Sequence, residues 1–169
     1  NKDLLREAAL NVGLAVPESV IIELPDQITR ARDLSFPCVC KPVYASQWRR
    51  DGIWEAVGRQ KAVRVDTYAD LVCLYNGFCR LDSRIIVQEW IPGGEESLQI
   101  FGSVTDKKAD VVAAFAARKR IQYPALLGTG VAVEAIQLPH LHEPSQMLLR
   151  KLGFSGISEI EYKYDARRG

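Results

Sequence analysis

The chain has 169 residues, enough for one ordinary domain or two small lobes sharing a core. Hydrophobic residues make up 47% and charged residues 25%, which excludes a disordered tail, a collagenous repeat and a low-complexity linker. Lys and Arg number 22 against 21 Asp and Glu, a net charge of +1, so the basic excess of a general nucleic-acid binder is missing. No apolar run approaches the roughly 18 residues that span a bilayer, and no N-terminal segment has the basic-then-apolar secretory pattern. Cys38, Cys40, Cys73 and Cys79 lack the spacing of a zinc knuckle. They are expected to be small core residues in a reducing compartment, which points to the cytoplasm.

In chain order, residues 1–13 read as a helix, with Leu4, Leu5, Ala8, Ala9 and Val12 at helical spacing and Gly13 as its cap. Ser19–Glu23 is a short β-branched strand. A helix over Asp26–Leu34 and a strand over Pro37–Pro42 follow. The polar segment Tyr44–Gln60 has no sustained period, the mark of a functional or mobile loop. Lys61–Val65 alternates as a strand, Asp66 or Thr67 caps a helix running to about Arg80, and Arg84–Ile91 is a strand closed by Pro92-Gly93-Gly94. The second part is richer in strands. Ser97–Val104 and Ala109–Arg120 form a hairpin, Val131–Gln137 a third strand, Glu143–Leu152 a helix and Gly156–Tyr164 a strictly alternating last strand. The fold class is α+β, in two unequal lobes hinged near residues 88–95.

Four features have chemical meaning, each beside a plainer reading. Lys41 ends an apolar strand and is costly to bury without an anion; it could equally face solvent. The strand 88–91 stops at a Pro-Gly-Gly turn, where main-chain groups of Glu89 and Ile91 can read a flat heterocycle and a following acid can accept ribose hydroxyls. A charged hairpin tip would look the same. Arg118-Lys119-Arg120 places both arginines on one face of a strand and Lys119 on the other, suiting a phosphate or carboxylate, or simply a solvated edge. Glu159 and Glu161 share a face of the last strand and could ligate Mg²⁺ or be an exposed charged face. His140 and His142 read as surface residues. No GxSxG elbow, P-loop or GxGxxG turn is present.

Taken in order, "NK…VPES", "FPCVCKP", "VQEWIPGGEE", "ARKRIQYP…GTG" and "GFSGISEIEYKYD" resemble the ATP-grasp superfamily, nearest its short carbamoyl-phosphate-synthase-like proteins and carboxylate–amine ligases. The resemblance implies two α+β lobes with a nucleotide site between them: residues 1–15 as the opening helix, 16–91 as the lid subdomain and 92–169 as an incomplete C-terminal lobe. It implies that Lys2 reaches the ATP phosphates and that Lys41 binds an ATP phosphate and the edge of adenine. Gln88 with the main chain of Glu89 and Ile91 would recognise adenine, and Glu95 the ribose. Arg118 or Arg120 would stabilise the transferred phosphoryl group, and Glu161 would ligate Mg²⁺.

The implied chemistry is ATP-dependent activation of a small carboxylate as an acyl phosphate, which an amine or similar nucleophile then attacks. Alternatives are phosphorylation of bicarbonate or carbamate in the manner of carbamoyl-phosphate synthase, and a nucleotide-binding module without chemistry. Segment 44–60 falls where the family places its phosphate-covering loop, with Trp48, Arg49 and Arg50 standing in for missing glycines. The family's preceding domain and its following Glu-x-Asn strand are not in these 169 residues, so weak or no ligase activity is expected of them alone. The last strand would then keep an exposed edge prone to self-association as a homo-oligomer.

Overall fold

A computed structural model describes residues 2–125 and 127–167; the side chains of Lys2 and Asp3 lie outside what is described. The chain divides into two compact units, one formed by the first three residues with Pro17–Trp90, the other by Leu4–Val16 with the chain from Ile91 onward.

The first unit is built on an antiparallel sheet of β1 (Ser19–Ile22), β2 (Cys38–Pro42), β3 (Val63–Val65) and β4 (Ile85–Glu89), in the order β1-β4-β2-β3. Alternation along β2 sends Cys38 and Cys40 to one face, where they join Val87 and Ile85. That face is covered by a 3₁₀ helix over Pro25–Asp33, the short α2 (Ile53–Ala56) and α3 (Tyr68–Asn76). Thr67 caps α3 by accepting from Asp70 N–H at 3.1 Å. Leu71 and Tyr75 form its buried stripe at i and i+4, and Phe78, just past its end, is buried beside them. Cys73, two residues from Leu71, falls on the opposite side of that stripe and is exposed, and Cys79 is half-buried. Cys38 and Cys40 are thus core residues as expected, Cys79 packs at the edge of the core, and Cys73 departs from the expectation.

The second unit carries β5 (Leu98–Thr105), β6 (Val111–Tyr123), β7 (Thr129–Ala135) and β8 (Gly156–Lys163), antiparallel throughout, in the order β7-β6-β5-β8. Helices α1 (Lys2–Asn11) and α4 (His142–Leu152) pack one face through Ala8, Ala9 and Leu148 against Ile160. On the same face Ser145 and Tyr162 hydroxyls share a hydrogen bond of 2.9 Å, and the His142 ring stands edge-on to Phe101. The other face carries Ile100, Ala117, Lys119 and Glu161. Among the described residues no helix is long and apolar enough to cross a membrane.

Candidate functional site

In the first unit, β2 and β4 place two of the expected residues side by side. Val39 pairs with Gln88 and Lys41 with Ile86, so Lys41 and Gln88 are diagonal neighbours on the face turned away from the helices, both half-buried. Glu89 is buried and structural: its Oε1 accepts from Glu18 N–H (3.1 Å) and its own N–H donates to Glu18 O (2.9 Å), tying β4 to the approach of β1. Trp90 N–H donates to Pro37 O at 3.0 Å. Ile91 N–H has no hydrogen-bond partner among the described residues. Lys2 stands in the first turn of α1, and its side chain lies outside the described residues. The thiols behind this face are inert: burial, reinforced by Glu89 and Glu18, pushes Cys38 up to about 11, and burial also raises Cys40.

Segment 44–60 differs from the expected phosphate-covering loop. Trp48 is 1% exposed and its ring meets Phe78 edge-on at 5.7 Å. Gln47 is buried; its Oε1 accepts from Tyr44 N–H (2.7 Å) and its Nε2 donates to Asp82 (2.9 Å). Ile53 and Val57 complete the anchor. Trp48 is thus a core residue, while Arg49 and Arg50 stay exposed, Arg50 lying 3.7 Å from Asp82. Burial acts to raise the Asp82 pKa, but hydrogen bonds from Arg84 and Gln47 outweigh it and hold the carboxyl below its ordinary value.

In the second unit, Glu95 opens a 3₁₀ turn over Glu95–Ser97 and accepts from Gln122 N–H through Oε2 at 3.0 Å. Arg118 and Arg120 do share one side of β6, and both close on one carboxylate: Arg118 Nε and Arg120 Nη2 lie 2.7 and 2.6 Å from Glu134 Oε2 on β7. The Arg118 hydrogen bond, the largest influence, holds the Glu134 carboxyl below the usual range, with Arg120 helping and partial desolvation opposing. Glu134 was not singled out from the sequence, although its register opposite Arg118 makes it the natural partner.

Lys119 points to the opposite face. Its side chain is 3% exposed and its ammonium forms an ion pair with Glu161 of β8, whose side chain is 46% exposed. The aliphatic stem lies over Gly130, where a Cβ would come within 3.2 Å of Lys119 Cε. The sequence signal for this pair was the alternation that separates Lys119 from its arginine neighbours. Alternation alone does not give the register of β6, β5 and β8 that brings Lys119 to Glu161.

A magnesium ion needs about six oxygen ligands in near-octahedral order. Glu161, with Glu159 two positions along β8, does not by itself build such a site, and no group of three or more His, Cys, Asp or Glu side chains gathers among the described residues.

No protein-family model matches the sequence. The chain is 20% identical over 177 residues to D-aspartate ligase of Enterococcus faecium (strain Aus0004), a match over all of this chain and 41% of that relative. Among solved structures it is similar to an L-amino acid ligase from Bacillus licheniformis (TM-score 0.69, 18% identity, 99% of this chain and 37% of that one). The ADP complex of purK, N5-carboxyaminoimidazole ribonucleotide synthetase, gives a TM-score of 0.69 at 17% identity over 99% of this chain and 41% of that one. VanG D-Ala:D-Ser ligase from Enterococcus faecalis gives 0.69 at 17% over 98% and 48%. The chain therefore spans about two fifths of the length of the D-aspartate ligase. Its fold is the ATP-grasp fold, α+β with two antiparallel sheets.

Proposed function

We propose that this chain is the nucleotide-binding part of an ATP-dependent carboxylate–amine ligase acting in the cytoplasm. The observation that supports it best is facial. In each unit the residues of nucleotide-binding character lie on the sheet face that the helices leave: Lys41 with Gln88 in the first, Lys119 with Glu161 in the second.

Each residue has a role that its chemistry allows. Lys41, and Lys2 from the opening helix, bind phosphate oxygens. Because Glu89 N–H is committed to Glu18, Ile91 N–H is the donor that meets the adenine edge, with Gln88 beside it. Glu95 accepts ribose hydroxyls. Lys119 supplies the buried positive charge near the transferred phosphoryl group, a part earlier given to Arg118 or Arg120, whose guanidiniums are engaged by Glu134. Glu161 remains a candidate ligand for Mg²⁺, in a site that other residues must complete. In the reaction, a carboxylate oxygen of the substrate bonds to the γ-phosphorus as the bond to the β,γ-bridging oxygen breaks and ADP leaves. The amine then bonds to the acyl carbon, loses a proton, and phosphate departs.

The test is calorimetric titration of ATP, with and without Mg²⁺, into the wild-type chain and into Lys41→Ala and Lys119→Met. Saturable binding that Lys41→Ala and Lys119→Met each weaken at least tenfold is expected. No heat from a chain shown to be folded, or binding indifferent to both substitutions, overturns the proposal.

A further inference from the structure

The turn Pro92-Gly93-Gly94 carries two glycines into Glu95, a sequence that in isolation would be among the most mobile in the chain. It is nevertheless fixed from several sides. Lys163, the last residue of β8, reaches back and donates from Nζ to Gly93 O at 2.9 Å. Ser97 closes the turn on itself, its hydroxyl donating to Gly94 O at 2.6 Å and its N–H to the same oxygen at 3.2 Å. Tyr164 N–H donates to Ser97 O (2.8 Å), and Gln122 N–H donates to Glu95 Oε2 (3.0 Å). Gly93 itself has φ +108°, and a Cβ there would sit 2.7 Å from Ser97 Oγ, so any other residue would strain the backbone and push Ser97 aside.

Of these ties, only the one from Lys163 is made by a charged side chain from another element to the glycine stretch. Lys163 is half-buried, and its alternation along β8 puts it on the same face as Glu161. Burial lowers its pKa, opposed by the nearby Glu96. A half-buried ammonium held on a main-chain carbonyl is a charge-assisted hydrogen bond, roughly twice as strong as a neutral one.

We infer that Lys163 is a positioning residue for ribose recognition: by holding Gly93 O it sets the turn that delivers Glu95, so that nucleotide discrimination at the ribose depends on a lysine that does not touch the ribose. This rests on the ribose role of Glu95 in the proposed function. It is independent of the phosphate contacts made by Lys41.

Two measurements test it. Amide hydrogen exchange needs no nucleotide: Lys163→Met should speed exchange at Ser97 N–H and Gln122 N–H at least tenfold, and Lys163→Arg should restore protection. The second is calorimetric affinity for ATP against 2′,3′-dideoxy-ATP. Lys163→Met should shrink the wild-type preference for ATP at least fivefold, and Lys163→Arg should recover most of it. Lys41→Ala should weaken both nucleotides and leave their ratio alone. If Lys163→Met does not fold, Lys163→Gln, which keeps a donor of shorter reach, is expected to give an intermediate ratio. A wild-type ratio in Lys163→Met alongside a collapsed ratio in Glu95→Gln overturns the inference and leaves the ribose role standing. A ratio unmoved by Glu95→Gln overturns both, as does a folded wild-type chain that binds neither nucleotide. Unchanged exchange in Lys163→Met overturns the inference whatever the nucleotides do.

Discussion

The ion pair of Lys119 and Glu161 is lopsided, and its two halves should respond very differently to removal. Lys119 is 3% exposed, whereas the Glu161 side chain is 46% exposed. Glu161→Leu removes the carboxylate and leaves a buried ammonium facing an apolar group, the situation in which breaking a buried pair costs about 3–5 kcal/mol. Exposure of Glu161 screens the original attraction, so the low end, about 3 kcal/mol, is expected. Lys119→Met removes the buried charge instead. Methionine has a similar length to cover Gly130, and the orphaned Glu161 turns to water, so the cost should stay within about 1 kcal/mol. The double variant should resemble Lys119→Met rather than the sum, a coupling of about 3 kcal/mol in the cycle. Urea unfolding at neutral pH, followed by far-UV circular dichroism, which reports both units, measures all four corners. If Lys119→Met destabilises as much as Glu161→Leu, the assignment of the buried partner is wrong. If Glu161→Leu is neutral, the ammonium is not held in a dry site and loses its claim to act on phosphate.

Trp48→Ala should cost about 3–5 kcal/mol in the same unfolding assay, the usual range for deleting a buried tryptophan; a loss below about 1 kcal/mol would return segment 44–60 to a loosely attached loop. Glu134, whose pKa is lowered in the folded chain, stabilises the fold above the ordinary carboxylate range, and that contribution is lost as pH falls through the lowered value. Glu134→Gln should therefore flatten the acid limb of the stability profile measured by unfolding between about pH 2 and 6; a limb of unchanged slope would place the titration elsewhere. With a thiol reagent at neutral pH, the exposed Cys73 should react first and Cys79 more slowly. Cys38 and Cys40 should react only on unfolding, and their rapid modification in the native chain would contradict the burial that raises them.

Strand alternation made much of the architecture legible. The alternating Gly156–Tyr164 stretch is β8 within one residue, and the expected hairpin of Ser97–Val104 with Ala109–Arg120 forms as β5 and β6, though β6 runs on to Tyr123. The expected helix over Asp26–Leu34 forms as a 3₁₀ helix over Pro25–Asp33. Segment 44–60 was opaque for a physical reason. Its buried residues, Trp48, Ile53 and Val57, sit in two very short helical turns separated by Gly52 (φ +80°), so no period is sustained long enough to register. Cys73 was misjudged because small apolar residues on a short helix say little about which way they face.

The site was legible in its residue types but not in its pairings, and the reason is register. Arg118, Lys119 and Arg120 are adjacent in sequence, and alternation alone sorts them into two and one. Which face stays open to a ligand depends on where the helices pack, and that is a long-range fact. α4 lies 22 or more residues beyond Arg120 and α1 over a hundred before it, yet both cover the face opposite Glu161. Once that face is closed, the single lysine and not the arginine pair shares a surface with the carboxylate of β8. A pair of like cations on a strand is therefore a weak guide to an anion site when a neighbouring strand offers a carboxylate in register, as β7 does with Glu134. Lys119 between them, buried and paired with a carboxylate that is itself half in water, is the better candidate for chemistry.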